Sequence, residues 1–445
     1  MNDESYLIDD FNSAYLHDAS QEIMDLYVNL NPFKDHTVEE KDNRGHIIRR
    51  PLFSHSSLGN KLALNLEGIK SEEFGWFKNT SYIVLLHHHN ELAAANLQTI
   101  PEKVLSYIRE GKCKLIFDNT LEGDQSEDFF PIIYNSLKKL NLPPSKLYFI
   151  TANLVAEQRH NVFLKNNKIE TPINVITFMW NVHDIKRLIG EEVLPEVVDI
   201  DEEIRYKKEN LKNIKKFLKV NRTSRIQRNL MMLFLNKHNI LKDSLVSFPS
   251  FPEDSVPEHN YQKYFDHAGL FFNITDPNNI EDLKKQIPFD IDNTDKTNHG
   301  PAGYGANQFN ADLPFQPVHY KNSFISIVMC AFPEVDHACH LHSSTYNPMY
   351  CGQPIVQYGP YQALKEMKRR GFKTFDKWWD ESYDDIPKDR ERLKKVMEVI
   401  LELSKKTPEE LLSMYISMKD VLKHNIKLLS EYDINKELKY KIYER

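Results

Sequence analysis

KFLKVNRTSRIQRNLMMLFLNKHNI, residues Lys216–Ile240, decides how this chain is read. Phe217–Val220 is a short apolar run with the character of a buried strand. A polar turn follows, and helical character begins at about Thr223 or Ser224, both good N-caps, and extends to Lys237. A helix start that follows a strand presents unpaired N–H groups and a positive dipole end, which together receive anions. Arg222, Arg225 and Arg228 are spaced by three, so on a helix they share one face beside Asn221. Guanidinium groups chelate phosphate oxygens through paired hydrogen bonds. The competing reading is an arginine stripe paired with surface acids.

Outward from this turn, strands and helices alternate on both sides. Toward the N-terminus stand strand Ser81–Leu86, helix Ile100–Arg109, strand Lys114–Phe117 ending in Asp118, helix Asp128–Leu140, and strands Lys146–Ile150 and Asn174–Phe178. Toward the C-terminus stand strand Leu245–Phe248, strand Ser323–Val328, strand Pro354–Tyr358 and helix Tyr361–Arg370, then amphipathic helices Asp389–Lys405 and Thr407–Tyr432. Strands alternating with helices imply parallel βαβ units. The expected fold class is α/β: two Rossmann-like domains with a cleft between them, and C-terminal helices. The expected boundaries are 1–75 for an N-terminal extension, 76–200 for an N-terminal Rossmann-like domain, 201–216 for a linker helix, 217–385 for a C-terminal Rossmann-like domain and 386–445 for terminal helices. Asp199–Lys216, dominated by charge, reads as a solvated connecting helix. Pro249–Pro317, with eight prolines and GPAGYG at Gly300–Gly305, reads as a long irregular stretch. Ligands of such folds bind at the carboxyl ends of the strands.

The bulk composition bounds the function. A chain of 445 residues exceeds one ordinary core. No apolar run approaches the roughly 18 residues that span a membrane, so no membrane association is expected. An acidic Met1–Asp10 lacks the form of a secretory signal, and four cysteines make no disulfide framework, so a reducing cytoplasm is expected. A net charge of −7 argues against a chain coated in nucleic acid. Abundant Lys, Asn and Ile with only 14 glycines fit an AT-rich genome, viral or bacterial.

Two runs carry a family resemblance: YKNSFISIV at Tyr320–Val328, and STYNPMYCGQPIVQYGPYQALKEMKRRGFKTFDKWWDESYD at Ser344–Asp384. With FLKVNRTSRIQR they resemble phage and bacterial glycosyltransferase-like proteins of two-domain GT-B architecture, and distantly fucosyltransferases and exostosin-like enzymes. The matching positions are Tyr320, Asn322, Ser323, Thr345, Pro348, Gly352, Pro354, Gly371, Phe372, Thr374, Phe375, Asp380, Glu381, Ser382, Tyr383 and Asp384. The resemblance covers about Lys216–Asp384, with a weaker echo at Gly111–Gly123. It implies a nucleotide-sugar donor, UDP- or GDP-linked, with its phosphates on Asn221, Arg222, Arg225 and Arg228 and on the helix start Ser343, Ser344, Thr345 and Tyr346. Where the group carries Glu-Lys at that start, this chain has Ser343 and Ser344, and the group's following Lys is Asn347. Serines donate hydrogen bonds but carry no charge. Glu334 or Asp336 could supply the carboxylate; otherwise the donor is held differently or activity is lost.

Cys330, Asp336, His337, Cys339, His340, His342 and Cys351 fall within 22 residues, yet their intervals fit no common structural zinc pattern, and no metal or cofactor is expected. On the acceptor side, strand ends carry the candidates. Asp118 and Glu122 are the expected catalytic carboxylates, with His88 as an alternative base. His87, His89, Trp180 and His183 are the expected acceptor contacts, each equally readable as a polar strand end or core residue. The acceptor that the resemblance implies is a carbohydrate or a modified base of viral DNA. A groove of Lys138, Lys139, Lys146, Arg159 and Lys165 would favour DNA. A non-catalytic sugar-nucleotide-binding relative is the remaining reading.

Overall fold

The computed structural model describes 128–179, 198–221, 225–248, 272–287, 317–330 and 338–433, with shorter pieces at 6–9, 37–41, 47–51, 80–85, 102–111 and 113–119 and isolated positions between. The chain divides into two compact units. Unit 1 comprises Met1–Trp180, His337–His340 and Asp433–Arg445; unit 2 comprises Asn181–Asp336 and Leu341–Tyr432. Each is an α/β unit built on a parallel sheet, as the alternation predicts.

Unit 1 contains β1 (Tyr6–Asp9), β2 (Thr37–Lys41), β3 (Ile47–Pro51), β4 (Thr80–Leu85), α1 (Glu102–Arg109), β5 (Cys113–Asn119), α2 (Phe129–Lys139), β6 (Leu147–Thr151), α3 (Ala156–Asn167) and β7 (Asn174–Thr177). Its five-stranded sheet runs β1-β4-β5-β6-β7, parallel throughout, so each strand pairs with its sequence neighbour. The loosely patterned N-terminal stretch thus supplies the edge strand β1, and β2 and β3 form a separate antiparallel pair. Leu115, Phe117, Phe129, Phe130, Ile133, Leu137 and Phe149 form the core between β5, β6 and α2. The Phe129 ring lies tilted against Phe149 at 4.5 Å, and Phe130 meets the same ring edge-on at 6.2 Å. Helix α3 was not expected from the sequence. Only Ala156 and His160 are buried on it, too few apolar positions to register a helical period.

Unit 2 contains α4 (Ile200–Glu209), β8 (Lys215–Val220), α5 (Ile226–Lys237), β9 (Ser244–Ser247), α6 (Pro277–Gln286), α7 (Pro317–Lys321), β10 (Ser323–Met329), α8 (Ser343–Tyr350), β11 (Ile355–Tyr358), α9 (Ala363–Arg369), α10 (Asp389–Ser404), α11 (Pro408–Ser417) and α12 (Lys419–Glu431). The four-stranded sheet runs β11-β10-β8-β9, again parallel. Every side chain of β10 and β11 is buried, which is why both read as unbroken apolar runs.

Three readings need correction here. The irregular stretch contains α6, whose start was legible: Asp276 accepts the Asn278 N–H at 2.9 Å, and Pro277 takes the first helical position. The last helix is two, α11 and α12, broken at Met418. The charged segment is no solvated connector, because α4 buries Ile200, Ile204 and Lys207. The Lys207 ammonium donates to the carbonyls of Tyr320 at 3.3 Å, Lys321 at 2.7 Å and Ser323 at 2.7 Å.

Gly352 shows why one of the motif glycines stands where it does. It follows α8 with φ +69°, and a Cβ there would meet the Ile200 side chain. Its N–H and that of Gln353 close the helix by bonding Met349 O at 3.2 Å and Pro348 O at 2.8 Å.

Candidate functional site

In unit 2, β8 pairs with β9 on one side and β10 on the other. The chain passes from β8 through α5 to β9, then returns across to β10, so the strand order reverses at β8. The carboxyl ends of the adjacent strands β8 and β10 lie at this reversal, which is where open parallel sheets bind ligands. The strands of unit 1 run in one sequential direction, with no such reversal among the described residues.

The loop after β8 is the Asn221–Arg225 turn. Asn221 continues the ladder, its N–H donating to Ser247 O at 2.9 Å. Helix α5 begins at Ile226 rather than at Thr223 or Ser224, and the N-cap position belongs to Arg225, in extended conformation. Arg225 and Arg228 therefore do not sit together on the helix. Arg225 precedes the helix, Arg228 lies in its first turn, and Arg222, Thr223 and Ser224 lie outside the described residues. An arginine has no acceptor, so its side chain cannot cap the first amides. Cations beside the positive end of a helix also oppose its dipole. Both choices cost stability in the free protein, and both reverse sign when an anion sits at the turn.

The side chains behind the turn extend this pattern. Lys219, on β8, is fully buried, and its Nζ donates to Asn221 Oδ1 at 3.0 Å. Burial holds the Lys219 ammonium well below its usual pKa, and nearby Arg228 adds to the shift. The Asn221 side chain is buried, and its Nδ2 has no hydrogen-bond partner among the described residues. Burial, then Arg225, brings Arg228 down to about 10. Gln227 donates to Cys330 O at 3.0 Å, tying the first turn of α5 to the end of β10. Burial pushes the Cys330 thiol up to about 12, against the opposing influence of Arg228 and of the hydrogen bond donated by Gln357 at 3.6 Å. Lys219 was missed in the sequence because a lysine inside FLKV reads as one solvent-facing strand position.

Helix α8, expected to receive donor phosphates, divides its four candidates. Ser343 is half-buried and Ser344 exposed at the uncapped start, while Thr345 and Tyr346 are wholly buried. Tyr346 packs 6.0 Å from the Phe372 ring. Asn347, standing where the similar group has a lysine, is buried with its Oδ1 unpartnered among the described residues.

The Gly371–Asp384 motif is occupied with structure. Asp384 caps α9, its two oxygens accepting the Leu364 and Lys365 N–H groups at 2.9 Å each. Glu381 accepts the Phe375 N–H at 2.9 Å and lies 3.8 Å from Lys368; burial raises its pKa to about 7. Asp380 accepts the Ser382 N–H at 2.9 Å and pairs with Lys395 at 3.1 Å. Phe375 and Trp379 stack at 5.3 Å.

In unit 1, Asp118 pairs in register with Leu85 and Ile150 near the carboxyl end of β5. His87, His88, His89, Glu122, Trp180, His183, Glu334, Asp336 and His337 lie outside the described residues. Beside Asp118, buried Asn119 accepts from the Thr151 hydroxyl at 3.2 Å, whose oxygen accepts the Asn153 N–H at 3.0 Å. Asn153 Oδ1 accepts the Cys339 N–H at 2.9 Å, and Leu154 donates to Cys339 O at 2.9 Å. Buried Cys339 and His340 thus belong to a segment laid against the β6–α3 turn. Among the described residues no group of three or more His, Cys, Asp or Glu is arranged to hold a metal ion, and no helix is long and apolar enough to cross a membrane. Of the five cations nominated for a groove, Lys138, Lys139 and Lys165 are exposed, and Arg159 lies 6.0 Å over the Phe130 ring.

No family model matches the chain, and no curated protein matches it significantly in sequence. Among solved structures it is similar to a trehalose-6-phosphate synthase, OtsA, at 11% identity and a TM-score of 0.40, covering 98% of this chain and 99% of the other. It is similar to the E. coli enzyme bound with UDP-2-fluoro glucose at 11% identity and 0.38, covering 98% and 92%. It is also similar to alpha,alpha-trehalose 6-phosphate synthase from Burkholderia multivorans at 9% identity and 0.40, covering 98% and 95%.

Proposed function

We propose that the chain is a glycosyltransferase of GT-B type, and that the β8–α5 turn holds the diphosphate of its nucleotide-sugar donor, UDP- or GDP-linked. The observation that carries this reading is the Arg225-led helix start at the point where the strand order of unit 2 reverses. Its local choices destabilise an empty turn and favour one holding an anion. The motif resemblance in Lys216–Asp384 supports the same assignment.

In the proposed reaction, the bond between the sugar's anomeric carbon and the β-phosphate oxygen breaks, and a bond to an acceptor hydroxyl oxygen forms. Charge grows on the departing diphosphate. Arg222, Arg225, Arg228, the side-chain amide of Asn221 and the first-turn N–H groups of α5 stabilise it. Ser343 and Ser344 add neutral donors from α8. The guanidinium groups supply positive charge from the protein itself. The acceptor proton passes to a carboxylate or imidazole of unit 1: Asp118 first, then Glu122 or His88. His87, His89, Trp180 and His183 are assigned to acceptor binding.

A panel of nucleotide sugars tests this by thermal shift and by release of nucleoside diphosphate in the presence of carbohydrate acceptors. A donor at about 100 times its Kd stabilises the fold by about 2.7 kcal/mol. A donor that shifts melting but releases no diphosphate makes the chain a binding relative. No shift with any donor removes the proposal.

A further inference from the structure

Lys219 and Asn221 are unaccounted for by packing. The Lys219 amino group donates to the Asn221 carboxamide, which presents its oxygen to it. The 3.0 Å contact therefore fixes the side-chain flip: Oδ1 is turned to Lys219, and the two N–H donors of Nδ2 are turned away from it. Those donors are buried and meet no acceptor among the described residues. A buried donor normally finds a partner, and one left open next to an anion-receiving turn marks a ligand contact. Lys219 is likewise unusual, since no carboxylate among the described residues pairs with it and its charged neighbour is Arg228. Opposite it in register, β9 presents apolar Val246. The charged and titratable groups next beyond are Arg225 at the helix start and Cys330 at the end of β10, both facing Arg228.

We infer that Lys219 is a positioning residue of the donor site: it holds the Asn221 carboxamide so that its N–H group is offered to the bound diphosphate. The inference rests on the reading of the β8–α5 turn as the diphosphate site and names how that site is oriented from behind. It carries a signature that a packing role lacks. In the free protein, burial and Arg228 disfavour the charged ammonium. A bound anion restores it, so binding draws a proton from solution above the free site's pKa.

The test is calorimetric titration of the full chain with UDP, GDP and inorganic pyrophosphate at about pH 8, in two buffers of different ionisation enthalpy, for wild type, Lys219→Met, Asn221→Asp and Arg225→Ala. Wild type binds with net proton uptake. Lys219→Met binds about tenfold or more weakly, the loss expected for a charge-supported hydrogen bond, and without uptake. Because it replaces a buried amine that has no carboxylate partner among the described residues by an apolar side chain, its free form melts no lower than wild type. Asn221→Asp gives Lys219 an ion partner, raises the melting temperature and abolishes anion binding. Unchanged affinity and uptake in Lys219→Met, or a clearly lower melting temperature with affinity retained, overturns the positioning role. If UDP or GDP binds and only Arg225→Ala weakens it, the diphosphate reading stands and this inference falls. If pyrophosphate alone binds with the stated variant pattern, the nucleotide reading falls and the positioning role stands. If nothing binds wild type, both fall.

Discussion

Among its described residues, unit 2 buries two lysines, and their surroundings differ in kind. Lys207 reaches from α4 to three backbone carbonyls, lies 5.2 Å over the Tyr415 ring, and has Glu203 nearby. Burial lowers its pKa to about 7, against the opposing effect of that carboxylate. Its charge is satisfied by groups the fold supplies, so it works as a staple between α4 and the start of β10. Lys219 meets one amide oxygen, and the charge beside it is another cation. On the proposed reading, the counter-charge for this buried amine comes from the bound diphosphate.

The comparison breaks first at Lys207. Lys207→Met leaves buried carbonyls without their donor and lowers stability by on the order of 3 kcal/mol in chemical denaturation. A loss no greater than that of Lys219→Met would erase the distinction between the two lysines. Next comes Glu381, whose folded pKa of about 7 lies above the unfolded carboxylate value. The folded state then binds more protons between roughly pH 4.5 and 7, so this group's contribution to stability falls as pH rises through that window. Glu381→Gln removes the fall, worth on the order of 2 kcal/mol, and gains on wild type above pH 7; tryptophan fluorescence reporting on Trp378 and Trp379 follows it. Asp384→Ala, which uncaps α9, costs about 1 kcal/mol at neutral pH, seen as a lower denaturation midpoint with an unchanged slope.

Much of this was legible in the sequence. The continuous apolar runs of β10 and β11 and the strand–turn–helix of β8 and α5 announce themselves, because strands covered on both faces carry no polar alternation. The same rule makes Lys219 an anomaly within FLKV, but only the central place of β8 in the sheet shows that it is buried. Helix α3 was hidden because it buries so little, and the break at Met418 because the amphipathic pattern runs through it. The roles of the tail acids depend on contacts between distant positions, such as Asp384 with Leu364, which no local pattern encodes. The strand end of Asp118 is placed as expected, whereas its catalytic task remains a proposal for mutagenesis.

The central claim is that the Arg225-led turn receives the donor's diphosphate, and Arg225→Ala addresses it directly. Thermal melting of wild type with saturating UDP- or GDP-sugar should rise by a few degrees, as a stabilisation of about 2–3 kcal/mol gives in a chain of this size. Arg225→Ala should fold normally and lose that rise at the same ligand concentration. A variant that melts like wild type and keeps the full shift would contradict the account.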